Sequence, residues 1–410
     1  DETQERRLRL TRTAVGGGDG MTDTAMRQKR EAAARHPRTL DRIRSSGGRR
    51  ASILLVIVAM LLIIGLGAML SASSVISIST TTRQFDLFSK QLLWVGLGAA
   101  ALVVAAFIPY SFWQKLALPL FVATIAGLLL TVAVGDERGG ASRWIEVGPI
   151  TIQVAEFAKF AIVVVLAAIL TKKKDLVANL WHVIIPVGII LGSVSVLLLM
   201  QPDFGNLLLV VVPAFIILTA STVPLRYVFG LGVLGMMTMS ALAMSAPYRK
   251  DRLLSFLDPF ASAQGTGLQA VQSMVALGSG GFFGVGLGMS RARWSWLPNA
   301  HTDFIFAIIG EETGFAGAII VVTLFALFGA VGVSIAFRAP DLFSRLLAVG
   351  IVSWLSVQAL INIGGVIAVL PITGVPLPFI SAGGNAMLIN LFAVGVLINI
   401  AFAPPSGTES

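Results

Sequence analysis

Ten long apolar stretches follow the first 50 residues, and they constrain the fold more than any other feature of the sequence. A helix needs roughly 20 apolar residues to cross a bilayer, and backbone within the hydrocarbon must satisfy its own hydrogen bonds. The stretches therefore predict an all-α polytopic membrane protein with about ten transmembrane helices. The approximate predicted spans are 51–70, 91–109, 114–134, 154–170, 182–200, 205–221, 228–246, 304–336, 346–369 and 385–403.

The composition leads to the same fold class. The 410 residues are 56% hydrophobic and 12% charged, whereas soluble domains contain about 25% charged residues. The net charge is +9, but 13 of the 30 Lys and Arg residues lie within residues 1–50. These values exclude a soluble enzyme and a nucleic-acid binder. The absence of cysteine excludes thiolate metal sites, Cys nucleophiles and disulfides.

The chain divides into three predicted segments. Residues 1–50 lack aromatic residues and long apolar runs, so we expect a disordered basic cytoplasmic tail, which sets topology or contacts lipid, or alternatively binds a partner. Residues 51–403 form the transmembrane domain, and residues 404–410 form a short cytoplasmic tail. Because cytoplasmic loops carry excess Lys and Arg, both termini are placed inside. The long loop 247–303, between helices 7 and 8, is then extracytoplasmic.

Most of the candidate functional polar residues of the transmembrane domain, residues 51–403, fall in segments on this outer face. The segments are 135–153, 201–205, 247–303 and 370–384. The clustering predicts that the binding site or the chemistry faces outward.

The fourth span begins with an ionisable pair. Glu156 and Lys159 are three residues apart, so a helix places them on one face. Such residues are costly inside a membrane, and each can neutralise the other. They form either a structural ion pair or part of a polar cavity for an anionic group. Arg143 precedes the span, and its planar guanidinium can bind phosphate. Alternatively, Arg143 and Trp144 simply lie at the membrane–water interface, where Trp is a common anchor.

Further candidates follow in the turn after span 5 and in the long outer loop. Asp203 follows Pro202 and is typical of a turn; in a buried turn it would orient a basic neighbour. Arg249 and Arg252 belong to a basic cluster directly after a span. They are either solvent-exposed charges at the membrane surface or cations that bind substrate. The six glycines of 278–288 favour a loop packed in the bundle over a phosphate loop, since no Gly-Lys-Ser/Thr follows.

Asp303 stands where a polar loop enters the eighth span. It is either a residue at the positive end of the helix dipole, including an N-cap, or a base that takes a proton from a sugar hydroxyl. His301 nearby is a supporting, metal-binding or interfacial residue. Glu311 and Glu312, two turns further on, predict a bend or an aqueous cleft.

The segment before the last span is rich in proline and glycine. Residues 371–385 read Pro-Ile-Thr-Gly-Val-Pro-Leu-Pro-Phe-Ile-Ser-Ala-Gly-Gly-Asn. They form either a rigid external turn or a substrate rim, with Ser381, Gly383 and Gly384 at its end, whose glycines let a bulky ligand approach the backbone.

Five motifs together make the chain similar to a known family. GASRWIEVG with IQVAEFAK, QPDFG, ALGSGGFFGVGLG, AHTDFIFAIIGEETG and LPITGVPLPFISAGG resemble the SEDS proteins (shape, elongation, division and sporulation), and the cell-division members more than the elongation members. The resemblance implies ten spans and a peptidoglycan glycosyltransferase that polymerises lipid II on the outer face of the bacterial cytoplasmic membrane. It places the essential carboxylate on Asp303 and matches Arg143, Glu156, Lys159 and Asp203 to family positions.

The sequence departs from the family pattern in two places. Val154 stands where many members have proline, and Ala382 and Asn385 replace a common Tyr and Ser. These changes bear on the start of span 4 and on the rim.

A mechanism follows from the resemblance together with the residues. Asp303 activates the acceptor hydroxyl, and inversion gives a β-1,4 bond. Arg143, Lys159, Arg249 or Arg252 stabilise the leaving pyrophosphate. The sequence specifies no cofactor, and the alternative is a divalent cation, Mg²⁺ or Mn²⁺, bound largely through substrate phosphates.

The resemblance also implies partners, and three alternative functions remain open. Expected partners are lipid II, the lipid-linked glycan strand, a class B penicillin-binding transpeptidase and other divisome membrane proteins at the septum. The rivals are a lipid II flippase, an elongation-type polymerase and a non-catalytic scaffold.

Overall fold

The structure is a computed structural model. It describes residues 46–79, 86–138, 141–148, 150–176, 181–244, 256–262, 265, 267–290 and 302–404. By its internal contacts the chain divides into two units, residues 1–49 and residues 50–410. The predictions for residues 1–45 of the tail, for 405–410, and for Arg249, Arg252 and His301 lie outside the described residues.

Among the described residues, ten long helices account for the ten apolar stretches, and the predicted polytopic helical fold is confirmed. Eight of them are long and apolar enough to cross a membrane, and the remaining two contain shorter apolar helices. An eleventh helix, α8, is shorter and lies in the long loop. The helices are α1 Ser46–Ser79, α2 Asp86–Phe107, α3 Tyr110–Val134, α4 Val154–Lys172, α5 Trp181–Met200, α6 Phe204–Ala220, α7 Leu225–Met244, α8 Leu268–Gly280, α9 Ile305–Phe337, α10 Leu342–Val366 and α11 Gly384–Phe402.

A small antiparallel sheet between α3 and α4 was not predicted. Its strands are β1 Asp136–Arg138, β2 Ala141–Val147 and β3 Ile150–Ile152, in the order β1-β2-β3. Gly148 has φ +62° in the tight turn between β2 and β3, a conformation that glycine adopts without steric cost. The sheet gives Arg143, on β2, a fixed position at the end of the bundle.

The centre of the bundle is formed by α4, α10 and α11. Their most apolar windows are 72%, 67% and 72% buried within the protein, against 17% for α2 and 22% for α3. Polar side chains on α4 and α10 are therefore surrounded by protein rather than by lipid.

The glycine-rich segment after α8 packs against a break in α9, as predicted. Gly314 interrupts α9 with φ 70° and ψ −166°. The carbonyls of Glu311 and Glu312 accept hydrogen bonds from the Val285 and Gly286 N–H groups, at 3.0 and 3.1 Å. Backbone groups freed by the break are thus satisfied by the loop, and the predicted bend near the two glutamates is confirmed.

Candidate active site

A polar cleft of about 380 Å³ lies at the end of the bundle where α4, α6, α9 and α11 begin. This volume falls within the range of small-molecule sites. The side chains that line it come from the sheet, from these four helix starts and from the segment before α11. The lining residues are Arg143, Trp144, Gln153, Glu156, Asp203, Asn206, Thr302, Asp303, Gly374, Val375, Pro376, Ala382, Gly383, Gly384, Asn385 and Ala386.

Asp303 is half-buried in the wall of this cleft. Helix α9 begins at Ile305, and Phe304 holds the N-cap position without a side-chain cap hydrogen bond. The interpretation of Asp303 as an N-cap is therefore wrong. A Cβ atom built on Gly374 would lie 3.6 Å from Asp303 Oδ2, so the carboxylate lies close to the segment before α11.

Arg143 and Asp203 meet at the cleft. Arg143 Nε lies 3.9 Å from Asp203 Oδ2, and Arg143 Nη2 donates a hydrogen bond to the Pro202 carbonyl at 2.5 Å. Asp203 Oδ1 also caps α6 by accepting from the Asn206 N–H at 3.2 Å. The two interpretations of Asp203 are thus both satisfied: it forms the turn and, being buried, it contacts a basic neighbour.

Glu156 and Lys159 form a buried ion pair. Lys159 Nζ lies 2.8 Å from Glu156 Oε2, and their side chains are 0% and 2% exposed. Lys159 Nζ also donates to Gln358 Oε1 at 3.3 Å and lies 5.3 Å from the centre of the Trp354 ring. Glu156 lines the cleft whereas Lys159 does not, so the pair reaches the cavity through its carboxylate.

The three rim residues have different positions. The Ser381 hydroxyl is buried and accepts a hydrogen bond from the Leu377 N–H at 2.8 Å, so it stabilises the loop from within. Gly383 and Gly384 line the cleft. A Cβ atom on Gly384 would lie 2.3 Å from the Trp94 ring, however, whereas among the described residues one on Gly383 would meet just Ala386 Cβ, at 3.4 Å. Gly384 therefore allows two helices to pack closely.

Three polar residues at or near the cleft were not among the predicted site residues. Asn385 lines the cleft and donates from Nδ2 to the Thr151 carbonyl at 2.8 Å, which ties α11 to the sheet. Gln358 and Asn362 lie on α10 beneath the cleft. The sequence did contain a signal for these two. Gln358 and Asn362 follow Trp354 at intervals of four residues in an apolar span, and this spacing places them on one face of a helix.

A dedicated metal site does not arise from the side chains that the structure describes. Over those ranges, no three Asp, Glu or His residues cluster closely enough to hold an ion. Asp303, Glu156 and Asp203 share the cleft, but Glu156 and Asp203 already face Lys159 and Arg143. The donor set does not fit a metal held by protein ligands alone.

The arrangement suits an anionic ligand beside a carboxylate. First-turn residues of α4 and α11 line the cleft, as do the two residues before the N-cap of α9, and the N-cap residues of these three helices make no side-chain cap hydrogen bond. Helix N-termini carry partial positive charge and unpaired N–H donors. Together with Arg143 they can bind negative charge, while Asp303 can accept a proton from a neutral group.

Comparisons with known proteins agree with this picture. Residues 52–404 match the family model FtsW/RodA/SpoVE, described as cell cycle protein. The chain is 37% identical over 351 residues to stage V sporulation protein E of Bacillus subtilis, covering 85% of this chain and 96% of that protein. It is 39% identical over 347 residues to the probable peptidoglycan glycosyltransferase FtsW of Coxiella burnetii, covering 83% and 93%.

Two solved structures share the fold. The first comes from work titled structural coordination of polymerization and crosslinking by a peptidoglycan synthase complex; it has a TM-score of 0.72 and 28% identity, covering 85% of this chain and 96% of that chain. The second is the rod shape determining protein RodA of Thermus thermophilus, with a TM-score of 0.64, 26% identity and coverage of 85% and 95%.

Proposed function

This chain belongs to the FtsW/RodA/SpoVE family of cell cycle proteins, and we propose that it is a multi-pass membrane peptidoglycan glycosyltransferase of the FtsW type. In this proposal it polymerises lipid II into β-1,4 glycan strands during septal cell-wall synthesis. The cleft end of the bundle faces the outside of the bacterial cytoplasmic membrane. Relatives named FtsW, at 35–39% identity, support the glycosyltransferase and the division role.

The observation that carries the proposal is the position of Asp303. Its carboxylate lines the same cleft as the Arg143 guanidinium and the uncapped starts of α4 and α11. Glycosyl transfer from a lipid-linked diphosphate needs a proton acceptor beside a site for a diphosphate. The cleft provides both within one cavity.

The proposed reaction is a single displacement. The 4-hydroxyl oxygen of the acceptor GlcNAc attacks C1 of the donor MurNAc and forms the new C–O bond. The bond from C1 to the phosphate oxygen breaks, and the diphosphate leaves with the electron pair. Asp303 accepts the hydroxyl proton. Attack opposite the leaving group converts the α-linked diphosphate into a β-linked glycan.

Charge develops on the leaving diphosphate, and fixed positive groups stabilise it. Arg143 and the first turns of α4, α9 and α11 take this role in the proposal. Lys159 does not line the cleft. It is buried against Glu156, Gln358 and Trp354, so in this proposal it holds the Glu156 carboxylate in the cleft wall. A divalent cation such as Mg²⁺ or Mn²⁺ would depend on substrate phosphates for most of its ligands.

The proposed partner is a class B penicillin-binding transpeptidase, which crosslinks the strands that this chain makes. The support is the likeness to a chain from work on a peptidoglycan synthase complex that couples polymerization and crosslinking. The proposed location is the division septum, with other divisome membrane proteins.

The test is glycan synthesis by purified protein in detergent, with and without the transpeptidase. We expect Asp303→Asn to abolish polymer formation from lipid II. Asp175→Asn is the control, because Asp175 is exposed at the opposite end of the bundle. Polymer made at the wild-type rate by Asp303→Asn would refute the assignment of the base. Because detergent leaves no membrane to cross, polymer formation also separates this function from that of a flippase.

A further inference from the structure

Three buried polar side chains form a row along α10 beneath the cleft. Trp354, Gln358 and Asn362 follow one another at intervals of four residues, so they share one face of the helix. Trp354 and Gln358 are fully buried, and Asn362 is 6% exposed. Burying an amide in an apolar span costs free energy unless the amide is hydrogen-bonded, and both amides here have hydrogen-bond partners.

Asn362 joins two separate parts of the cleft wall. Its Nδ2 donates one hydrogen bond to the backbone carbonyl of Asp303 at 2.8 Å and another to the backbone carbonyl of Val375 at 2.7 Å. An amide group has two N–H donors, and both are used here. Both partners are carbonyls, so the amide must present its nitrogen to them. Gly374 is next to Val375, and a Cβ atom built on it would lie 3.6 Å from Asp303 Oδ2.

Gln358 makes the equivalent connection one turn earlier. Its Nε2 donates to the Pro376 carbonyl at 2.8 Å. Its Oε1 accepts from Trp354 Nε1 at 3.0 Å and from Lys159 Nζ at 3.3 Å. Residues 375–376 are thus held by the side-chain amides of Asn362 and Gln358, and Gln358 is also bonded to Lys159 of the ion pair.

We propose that Asn362 and Gln358 are positioning residues for glycosyl transfer. They fix the separation between the Asp303 backbone and the rim segment 374–376, and they connect both to the ion pair in α4. This inference rests on the proposed function, since it concerns the placement of the proposed base. Neither side chain lines the cleft, so they act through Asp303 and the rim and do not touch substrate.

The expected effect is on turnover more than on substrate binding. A misplacement of a reacting group by about 1 Å can lower a rate by about 10²-fold. Asn362→Leu removes both donors while the side chains that line the cleft stay unchanged. We therefore expect kcat for lipid II polymerisation to fall by about 10- to 100-fold, with KM within about threefold of wild type.

The control is Asn390→Leu. Asn390 is also a buried asparagine, 1% exposed on the neighbouring helix α11, and it is absent from the residues that line the cleft. Asn362→Leu loses two buried hydrogen bonds and should be less stable than wild type, so kcat is compared at equal amounts of folded protein, where it should fall only in Asn362→Leu. Equal kcat values in the two variants, whether high or low, would overturn the proposal.

A second readout is the pH dependence of kcat. If Asn362 places the base, the acid limb of the profile should move in Asn362→Leu and stay unchanged in Asn390→Leu. An unmoved acid limb with wild-type kcat would show that Asn362 is only a packing residue.

Should Asn362→Leu not fold, Gln358→Met decides the question. It keeps the length of the side chain and removes the donor to Pro376 together with the acceptor for Trp354 and Lys159. A fall in kcat with little change in KM supports the proposal, and a wild-type kcat overturns it. Failure of the proposed function is distinguishable from both results, because the wild-type protein itself would then make no polymer from lipid II.

Discussion

Arg143 and Asp203 are joined across the cleft from two separate elements, with Arg143 Nε 3.9 Å from Asp203 Oδ2. Arg143 lies on β2, and Asp203 is the N-cap of α6. The same carboxylate accepts hydrogen bonds from the backbone and the side chain of Asn206. One buried acid therefore begins a helix and also holds the guanidinium of the cleft.

The first prediction separates these two roles of Asp203. Asp203→Ala removes the cap and should lower the free energy of unfolding by about 1 kcal/mol. Asp203→Asn keeps a capping oxygen but loses the charge facing Arg143, so it should remain more stable than the alanine variant. Both should make less glycan. Thermal unfolding in detergent and the polymerisation assay measure the two effects.

A matched control is available at the other end of the bundle. Asp341 caps α10 by accepting from the Ser344 N–H at 2.8 Å, and it does not line the cleft. Asp341→Ala should cost similar stability and leave polymerisation unchanged. An equal loss of activity in Asp341→Ala and Asp203→Ala would mean that only stability matters.

The second prediction concerns the buried ion pair of α4. Lys159→Met leaves the Glu156 carboxylate buried without its cation, and breaking such a pair costs about 3–5 kcal/mol. The double variant Glu156→Gln with Lys159→Met has no unpaired charge and should recover much of the lost stability. Unfolding temperatures in detergent report both values.

Activity then distinguishes a structural pair from one used in catalysis. Glu156 lines the cleft, so the double variant should be stable but should polymerise less lipid II than wild type. Full activity in the double variant would show that the pair serves folding alone. If the double variant were no more stable than Lys159→Met, the ion-pair argument would be wrong.

Much of this fold follows from local physical chemistry. Long apolar runs predict helices wherever they occur, because a span must satisfy its own backbone. The packed glycine segment and the bend near Glu311 were likewise predictable, since the glycines and the intramembrane acids are visible in the sequence. Alternation of the spans also brings Arg143, Asp203 and Asp303 to one end of the bundle.

Other features depend on contacts between distant residues. The sheet was missed because its strands are short, and because an antiparallel pair gains stability only once its register is formed. Asn362 contacts Asp303 and Val375 through their backbone carbonyls. Because every residue has a backbone carbonyl, the sequence does not reveal such contacts. Ser381 and Gly384 belong to the predicted rim, yet one faces inward and the other packs on Trp94.

The third prediction uses two glycines with similar positive φ angles. Gly374 has φ +72° and lies against Asp303, whereas Gly148 has φ +62° with no atom within 4 Å of an added Cβ. Alanine at either position should cost about 1–2 kcal/mol, because side chains rarely adopt this conformation. Only Gly374→Ala adds a methyl group beside the carboxylate, so only it should also lose polymerisation.

The comparison is made at equal amounts of folded protein. Unfolding temperatures of the two alanine variants should agree closely, while their initial rates of glycan synthesis should differ. Equal rates would mean that the space between Gly374 and Asp303 is not used by substrate.

The fourth prediction concerns the two adjacent glycines at the start of α11. A Cβ atom on Gly384 would lie 2.3 Å from the Trp94 ring of α2. Gly384→Ala should therefore destabilise the protein by about 1–3 kcal/mol through overpacking. Adding Trp94→Leu to Gly384→Ala should restore part of that stability, because the smaller side chain vacates the space. Thermal unfolding of the single and double variants in detergent tests this.

Gly383→Ala provides the contrasting case, because its φ of −179° is open to any residue and its nearest neighbour is 3.4 Å away. Its stability should stay near wild type. Since Gly383 lines the cleft, the added methyl group should raise KM for lipid II. A destabilised Gly383→Ala with unchanged KM, or a double variant no more stable than Gly384→Ala, would contradict the division of roles. In that division, Gly384 allows α2 and α11 to pack closely, and Gly383 leaves room for the substrate.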